Sequence, residues 1–390
     1  MKPDIEIFMF IDALGWDTVS RSDFMKDLLP NRKPVQMQFG YSCSAIPTIL
    51  SGRTPAEHGH LGLFRFAPDD SPFKRLGWLE SILWPRSFWM RGRVRHWLSK
   101  AVKRLYGFTG YFQLYQMPFG KLSMMDYCEK RDLFAPHGLG DVENLRDMLE
   151  RTGLKFHISD WHLGDAENVR LAKSAIAEGC RFLFIYNAEF DGFMHEHVGD
   201  WNAIPKKLEW YGTQITSLLS FCDSLKKSVR FTLFSDHGMT PLTATIDVKS
   251  AVDASGLVFG RDYGACYDST MARFTYKSPD AKEKIHAILS HFGDNGHWLT
   301  PEEERKYGIF REDRLFGDEI FFVNPGVQIV PSDMGSKPLN GMHGFEPSDK
   351  YSLAMIMSND AIPDYLMTVA DYYRLMRQRA EEMAESEGGR

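Results

Sequence analysis

The chain has 390 residues, of which 43% are hydrophobic and 25% are charged, and these values are ordinary for a globular protein. Its formal net charge of −6 gives no indication of a nucleic-acid-binding domain. No apolar run approaches the roughly 20 residues that a membrane-spanning helix needs. We therefore expect one large domain with insertions or two domains, and no transmembrane segment.

The predicted elements alternate between strand and helix along most of the chain. Short apolar runs predict strands at 5–11, 154–159, 181–186, 229–234 and 351–357. Helices are predicted at 141–152, 166–179, 210–226 and 362–387. Strands that alternate with helices indicate parallel pairing with helices on both faces. We therefore predict an α/β fold, a three-layer α/β/α sandwich with a mainly parallel central sheet.

Two stretches depart from this alternation and predict insertions. Residues 67–139 read as a basic, aromatic, helical insertion, and residues 251–335 form a less regular stretch with a strand at 272–276 and a helix at 281–292. The core of the fold is then predicted to consist of residues 1–66, 140–250 and 336–390.

The first insertion carries an unusual run at 74–106. It contains nine Lys or Arg residues against one acid, Glu80, together with Trp78, Trp84, Trp89 and Trp97. Residues 91–105 have the pattern of a basic amphipathic helix. Such a segment fits either peripheral contact with a membrane or a cap over an anionic substrate. The alternative is a solvated helical insertion whose tryptophans pack on the core.

The cysteines and the amino terminus bear on the compartment. The cysteines are odd in number and lack paired spacing; they are Cys43, Cys128, Cys180, Cys222 and Cys266. The first four residues lead directly into the first strand without a signal-peptide pattern. These features predict reduced thiols and a cytoplasmic protein.

Carboxylates and imidazoles follow the predicted strands at the points where ligands bind in open α/β sheets. Three acids and three histidines have this placement: Asp12, Asp191, His195, Asp236, His237 and His343. Asp191 and His195 are four residues apart, so a helical turn would place both on one face. Three carboxylates and three imidazoles are about the ligand count of a two-metal site.

The order of these motifs resembles the alkaline phosphatase superfamily, in particular its nucleotide pyrophosphatase and type I phosphodiesterase branch. The resemblance covers roughly residues 5–360 and rests on Asp12, the segment 41–52, Asp191 with His195, Asp236-His237-Gly238-Met239 and Gly341-Met342-His343-Gly344. It implies a small antiparallel cap over 251–335. It also implies one metal held by Asp191, His195 and His343. Asp12, Asp236 and His237 would hold a second. Zn²⁺ is favoured, with Mn²⁺ or Mg²⁺ as alternatives.

The segment expected to carry the nucleophile departs from the family pattern. Placing the nucleophile two residues before Pro47 would select Ala45, which has no nucleophilic group. Counting back ten residues from Gly52, the spacing shared in the family, selects Ser42. We favour Ser42 for that reason.

Three rivals to these assignments remain open. Ser44 competes as nucleophile because it would be a helix N-cap with Pro47 at the third helical position. Cys43 is disfavoured, since the residues around it lack the sulfatase signature. His197 lies six residues from Asp191, matches the ligand pattern less well than His195, and is expected outside the site.

The predicted function is that of a two-metal phosphoric ester hydrolase, in particular a phosphodiesterase that forms a covalent phosphoseryl intermediate. The expected substrate is a small-molecule or lipid- or glycan-linked phosphate ester. Two alternatives are a phosphotransferase that moves phosphoglycerol or phosphoethanolamine onto a glycan or lipid, and a non-catalytic metal-binding protein on a degenerate hydrolase fold. Asp268, Arg273 and Lys337 are candidates for the pocket, but their spacing assigns them no role.

Overall fold

The computed structural model describes residues 3–388. Its strands, in chain order, are β1 (Ile5–Ile11), β2 (Asn31–Val35), β3 (Phe64–Phe66), β4 (Met125–Tyr127), β5 (Phe156–Ile158), β6 (Phe182–Asn187), β7 (Val229–Phe234), β8 (Thr240–Pro241), β9 (Ala244–Ile246), β10 (Tyr263–Tyr267), β11 (Met271–Tyr276), β12 (Gly296–Trp298), β13 (Glu319–Val323), β14 (Val327–Ile329), β15 (Gly341–Met342) and β16 (Ala354–Ser358). Its α-helices are α1 (Trp16–Ser20), α2 (Ser42–Ser51), α3 (Pro55–His58), α4 (Leu79–Ile82), α5 (Arg86–Trp89), α6 (Gly92–Tyr106), α7 (Phe119–Leu122), α8 (Leu145–Thr152), α9 (Asp165–Ala177), α10 (Glu189–His197), α11 (Ile204–Ser224), α12 (Val248–Asp253), α13 (Pro279–Leu289), α14 (Pro301–Lys306) and α15 (Asp371–Gly388).

A six-stranded sheet forms the centre of the molecule, with the strand order β2-β16-β7-β1-β6-β5. The pairs β7-β1, β1-β6 and β6-β5 are parallel, whereas β16 runs antiparallel to both of its neighbours. Parallel strands are buried on both faces, which explains why β1 and β7 are nearly continuous apolar runs. The sheet is mainly parallel, as the sequence predicts.

Helices cover both faces of this sheet and make it the middle of three layers. The side chains of β1 alternate between two cores, with Ile7 and Met9 in one and Phe8 and Phe10 in the other. Helices α9, α10 and α11 pack on the first face, and helices α2, α8 and α15 pack on the second. The predicted three-layer α/β/α fold is therefore confirmed.

A second, smaller sheet lies within residues 251–335. It has four strands in the order β10-β11-β13-β12, and all of its pairs are antiparallel. Helix α13 packs against it through Ala281, Ile285 and Leu289. This is the small antiparallel cap that the resemblance implies. The boundaries between core, insertion and cap stay a prediction.

The insertion at 67–139 consists mainly of helices, and its strand β4 pairs with β3, which lies just before it. Helix α6 lies within one residue of the amphipathic helix predicted at 91–105. Its Arg95 is buried and donates hydrogen bonds to the carbonyls of Leu114, Tyr115 and Met117. Because a buried guanidinium needs several acceptors, this contact fixes α6 against the segment that follows it.

The carboxy-terminal helix begins nine residues later than predicted, at Asp371 rather than at 362. Pro363 and the turn that follows it disfavour a helix here. The Asp371 carboxylate accepts hydrogen bonds from the backbone N–H groups of Met367 and Thr368, which ends the preceding loop. Leu366 is nevertheless buried, so a loop supplied the apolar spacing that indicated a helix.

None of the helices in the described residues combines the length and hydrophobicity that a bilayer crossing requires.

Candidate active site

The ends of three adjacent strands bring the predicted ligands to one edge of the sheet. Asp12 directly follows β1, and Asp236 and His237 lie just beyond β7. Asp191 and His195 lie on α10, which follows β6. Since β1 pairs with both β6 and β7, these side chains converge at the carboxyl edge, where parallel sheets bind ligands.

Two glycines allow the loops after β1 and β7 to touch. A Cβ atom on Gly15 would lie 2.3 Å from the Cα of Gly238, and one on Gly238 would lie 2.1 Å from the carbonyl oxygen of Tyr351. No real Cβ tolerates such distances. The backbone contact holds the loop of Asp12 against the loop of Asp236 and His237.

The first cluster of potential ligands consists of Asp191, His195 and His343. The two Asp191 oxygens lie 3.4 Å from His195 Nε2 and 3.6 Å from His343 Nε2. His195 Nδ1 lies 2.8 Å from the carbonyl oxygen of Gly341 and therefore carries the proton that it donates there. Its Nε2 is turned toward Asp191 and is the ring nitrogen that a metal ion would take.

The second cluster consists of Asp12, Asp191 and His237. His237 Nε2 lies 3.6 Å from an Asp12 oxygen, and its Nδ1 donates to the carbonyl of Gly238 at 2.8 Å. The His237 ring stacks on that of His343, with centroids 3.8 Å apart, so the two clusters are in contact. Asp191 belongs to both clusters, whereas the resemblance assigned it to one.

Asp236 lies beside the second cluster. One of its oxygens accepts hydrogen bonds from the backbone N–H groups of Ala13 and His237, at 3.2 and 3.0 Å. The other lies 3.1 Å from His237 Nε2 and is buried without a hydrogen-bond partner among the described residues. Asp236 therefore joins the loops after β1 and β7 and still presents one free oxygen.

Negative charge is crowded at this edge. Burial, together with the charges of Asp236 and Asp191, raises the pKa of Asp12 well above its usual range. Burial would also raise the pKa of Asp191, but the hydrogen bond from His195 and the charge of His343 hold it well below that range. Three carboxylates this close favour a cation between them.

Ser42 is the first residue of α2 and lies at the rim of the second cluster. Its Oγ is 3.2 Å from His237 Nε2. The positive end of a ten-residue helix faces any anion bound there. Ser44, by contrast, is fully buried and donates hydrogen bonds to the carbonyls of Phe39 and Tyr41.

The expected role of Ser44 as the N-cap of α2 is wrong, because the helix begins three residues earlier, with Tyr41 as the N-cap. The other rivals also lie differently. The Cys43 thiol is buried and donates to the carbonyl of Leu61. The His197 ring stacks on Phe193 and belongs to neither cluster.

A model of the type I phosphodiesterase / nucleotide pyrophosphatase family matches residues 7–346. The chain belongs to this family. It is thus a hydrolase of the alkaline phosphatase superfamily. A search of curated proteins found no match.

Solved structures of the same fold include murine ectonucleotide pyrophosphatase/phosphodiesterase 5, in an inactive variant in complex with AMP. That structure superposes with a TM-score of 0.67 at 14% identity and covers 97% of this chain and 95% of its own. The human protein of the same name gives a TM-score of 0.66 at 12% identity and covers 97% of this chain and 94% of its own. These similarities show the fold.

Members of the phosphodiesterase family depend on metal ions, and the residues present fit such ions. Three buried oxygens of the site have no hydrogen-bond partner among the described residues, one each from Asp12, Asp191 and Asp236. Unpartnered buried acceptors are costly, and a cation satisfies several at once. Carboxylate and imidazole donors suit Zn²⁺ well and also accept Mn²⁺.

A cavity of about 480 Å³ opens next to the clusters and exposes Ser42, Asp191 and His343 on its wall. Of the pocket candidates, Asp268 and Lys337 line this cavity. Arg273 instead lies behind Asp268, 2.9 Å from its carboxylate, and donates to the carbonyl of Phe64.

Part of the cavity wall comes from residues that the sequence analysis did not single out. Tyr111, Tyr115 and Glu129 from the insertion line the cavity together with Trp161 and Tyr186. The hydroxyls of Tyr111 and Tyr115 are 2.6 Å apart. Glu129 is buried, and burial raises the pKa of its carboxyl well above the usual range. Only the aromatic richness of 67–139 hinted at such a wall.

Proposed function

We propose that this protein hydrolyses phosphodiesters with Ser42 as the nucleophile. The observation that carries the proposal is the position of the Ser42 oxygen, 3.2 Å from His237 Nε2 at the rim of the second cluster and on the cavity wall. Ser44 lacks this access because both its hydrogen bonds and its burial direct it into the protein.

Each part of the site has a distinct task in this scheme. Divalent ions, with Zn²⁺ favoured, would supply positive charge to the phosphoryl oxygens and lower the pKa of the serine hydroxyl. Asp191, His195 and His343 would hold one ion. Asp12, Asp236 and His237 would hold the other, with Asp191 within reach of both. Ser42 attacks phosphorus, the bond to one alcohol breaks, and that alcohol leaves with the proton. The serine is then joined through phosphate to the other organic group, and water hydrolyses this intermediate to release a phosphate monoester and restore the serine.

The cavity supports a substrate whose phosphate carries a sizeable organic group. Its aromatic wall of Tyr111, Tyr115 and Trp161 suits a planar or apolar substituent. A nucleotide is one ester of this kind, and the murine relative of the same fold was solved with AMP. A lipid- or glycan-linked phosphate ester is the other substrate class we propose.

We also propose a cytoplasmic location. The five cysteines are free, although four of them are buried, and an odd set of reduced thiols is typical of a reducing compartment.

The nucleophile is tested with purified protein stripped of metal and resupplied with Zn²⁺ or Mn²⁺, using bis-p-nitrophenyl phosphate as substrate. We expect Ser42→Ala to lower kcat by at least about 10³-fold, because the attacking oxygen is lost. Ser44→Ala removes only an internal hydrogen bond, so it should keep its activity while losing about 1 kcal/mol of stability.

Two results would count against the proposal. Full activity in Ser42→Ala would show that another group attacks phosphorus. Absence of metal-dependent hydrolysis by the wild-type protein on every ester tested would instead favour a non-catalytic metal-binding protein. Circular dichroism of each variant shows whether a loss of activity is a loss of fold.

A further inference from the structure

The insertion exposes a concentration of large apolar side chains. Thirteen large hydrophobic residues are exposed among the described residues, and six of them fall within the short segment 78–105. They are Trp78, Ile82, Trp84, Phe88, Trp97 and Leu105. Three tryptophans in this segment are 61, 84 and 73% exposed, so the interpretation that they pack on the core is wrong for them. Exposed clusters of this kind mark interaction surfaces.

Helix α6 separates its two faces sharply. Arg95, Ser99 and Val102 are buried on the face toward the protein. Arg93, Trp97, Lys100 and Arg104 follow one another at helical spacing on the opposite, exposed face. Lys100 Nζ lies 6.0 Å from the Trp97 ring centroid, so cation and aromatic ring lie side by side.

The charge of this surface is uncompensated. Arg91, Arg93, Lys100 and Arg104 form no ion pair with any described residue. The segment 74–106 has nine basic residues and one acid in a chain whose net charge is −6. A strongly positive surface on a negative molecule is complementary to an anionic partner. Tryptophan beside lysine and arginine is the combination that membrane interfaces select.

We propose that the outer face of α4, α5 and α6, defined by Trp78, Trp84, Arg93, Trp97, Lys100 and Arg104, docks on an anionic lipid bilayer. The tryptophans enter the headgroup region and the cations contact acidic headgroups. The contact is peripheral and involves no membrane crossing.

The docking face lies close to the cavity, so membrane binding would affect where the cavity is held. Lys103 on α6 lies 5.2 Å from the ring centroid of Trp161, which lines the cavity. Arg95 of the same helix donates a hydrogen bond to the backbone carbonyl of Tyr115, which also lines the cavity. Docking through the outer face therefore holds the cavity close to the lipid surface. The binding itself does not depend on the proposed phosphodiester hydrolysis.

The test is cosedimentation of the full chain with vesicles, one set of phosphatidylcholine alone and one of an equimolar mixture of phosphatidylcholine and phosphatidylglycerol. We expect binding to the mixed vesicles only. Binding should weaken as salt shortens the Debye length from about 10 Å at 0.1 M to about 3 Å at 1 M. Absence of binding to the mixed vesicles at low salt would overturn the proposal.

Matched variants identify the face. Lys100→Glu with Arg104→Glu reverses two charges on α6, and Lys226→Glu with Lys227→Glu makes the same change on an exposed turn beyond α11. Since each basic residue near an acidic membrane contributes about a fivefold factor, the first pair should weaken binding by at least about 25-fold. The second pair should retain most of it. If both double variants lost the same vesicle affinity, net charge alone would explain the binding, and the proposal of a specific docking face would be wrong.

A second pair tests the aromatic contribution. Trp84→Ala with Trp97→Ala should weaken binding to mixed vesicles about tenfold or more, because the interfacial anchors are lost. Met367 is 64% exposed and lies outside this face, so Met367→Ala should leave the binding to mixed vesicles unchanged. Analytical ultracentrifugation without lipid tests whether the face instead binds a second copy of this chain. The lipid proposal fails if the wild-type protein self-associates but does not bind vesicles, and if Trp84→Ala with Trp97→Ala abolishes the self-association. The face would then bind a second copy of this chain.

Discussion

Asp191 is the residue at which the two ligand clusters meet. One oxygen faces His195, the other faces His343, and the carboxylate also lies within reach of Asp12 and His237. Its hydrogen bond with His195 keeps it ionised despite burial. A carboxylate shared in this way would support both proposed ion sites, whereas each histidine would support one.

We therefore expect Asp191→Asn to weaken binding of both ions and His195→Gln to weaken only one. Calorimetric titration of the metal-free protein with Zn²⁺ measures both affinities and the stoichiometry. The loss in Asp191→Asn should exceed the roughly 10–100-fold that outer-shell changes cost, because a direct ligand is removed. One site left at wild-type affinity in Asp191→Asn would contradict the sharing.

The sequence predicts the residues of this site better than their arrangement. The structure brings five of the six predicted ligands into two clusters and places Asp236 directly beside them. Strand ends indicate which edge a side chain reaches, but the distances depend on how the loops pack. For the same reason the sequence did not predict that Tyr111 and Glu129 line the cavity, since the packing of the insertion brings them there.

At the scale of elements, the contact between Gly15 and Gly238 sets the spacing of the loops after β1 and β7. Gly15→Ala would place a Cβ 2.3 Å from the Cα of Gly238, so one loop must move. Asp12 and Asp236 then separate, and we expect Zn²⁺ affinity at the second cluster to fall by at least about tenfold. Calorimetry measures that affinity.

Gly192→Ala is the matched control for this prediction. Gly192 neighbours Asp191 on α10, and a Cβ added there meets nothing within 4 Å. Alanine inside a helix is favoured over glycine by about 0.5–1 kcal/mol, so this variant should keep its metal affinity and melt slightly higher. A Gly15→Ala protein that binds Zn²⁺ as tightly as the control would show that the close contact is dispensable.

The sequence predicts a helix or strand accurately where neighbouring residues alone determine both its hydrophobic pattern and its ends. The strands β1 and β7 have the predicted bounds. Helix α15 does not, because the apolar spacing continues through a loop that tertiary packing buries. Burial imposes apolar residues on loops and helices alike, so the pattern alone does not mark the boundary.

At the scale of the whole molecule, the core contains a carboxyl group that couples stability to pH. Glu6 on β1 is fully buried and pairs with Arg230 on β7 at 2.6 Å. Burial outweighs the charge of Arg230 and raises the pKa of Glu6 to about 7. The folded state therefore holds this proton more tightly than the unfolded chain does.

The stabilisation from this proton is complete below the unfolded pKa near 4.5 and is lost as the pH rises toward 7. At 1.36 kcal/mol per pKa unit, the loss is about 3 kcal/mol. Glu6→Gln should remove it. Urea unfolding across this pH range measures the difference in stability between wild type and variant.

Glu382→Gln is the control, since Glu382 faces the same arginine from a largely exposed position. The Glu382→Gln protein retains Glu6, so it should still lose stability as the pH rises toward 7. A difference between Glu6→Gln and wild type that does not change with pH would show that the pKa of Glu6 is not raised in the folded protein.

The position of β16 between β2 and β7 determines when the sheet can be completed during synthesis. Among the described strands β2 pairs only with β16, and roughly 320 residues separate the two. At about 5–20 residues per second, β2 waits roughly 15–65 s on the ribosome for its partner. Arg32, Lys33 and Pro34 suit this wait, because charge and a missing N–H discourage pairing with other chains. The residues that protect the nascent strand also protect the edge of the finished sheet.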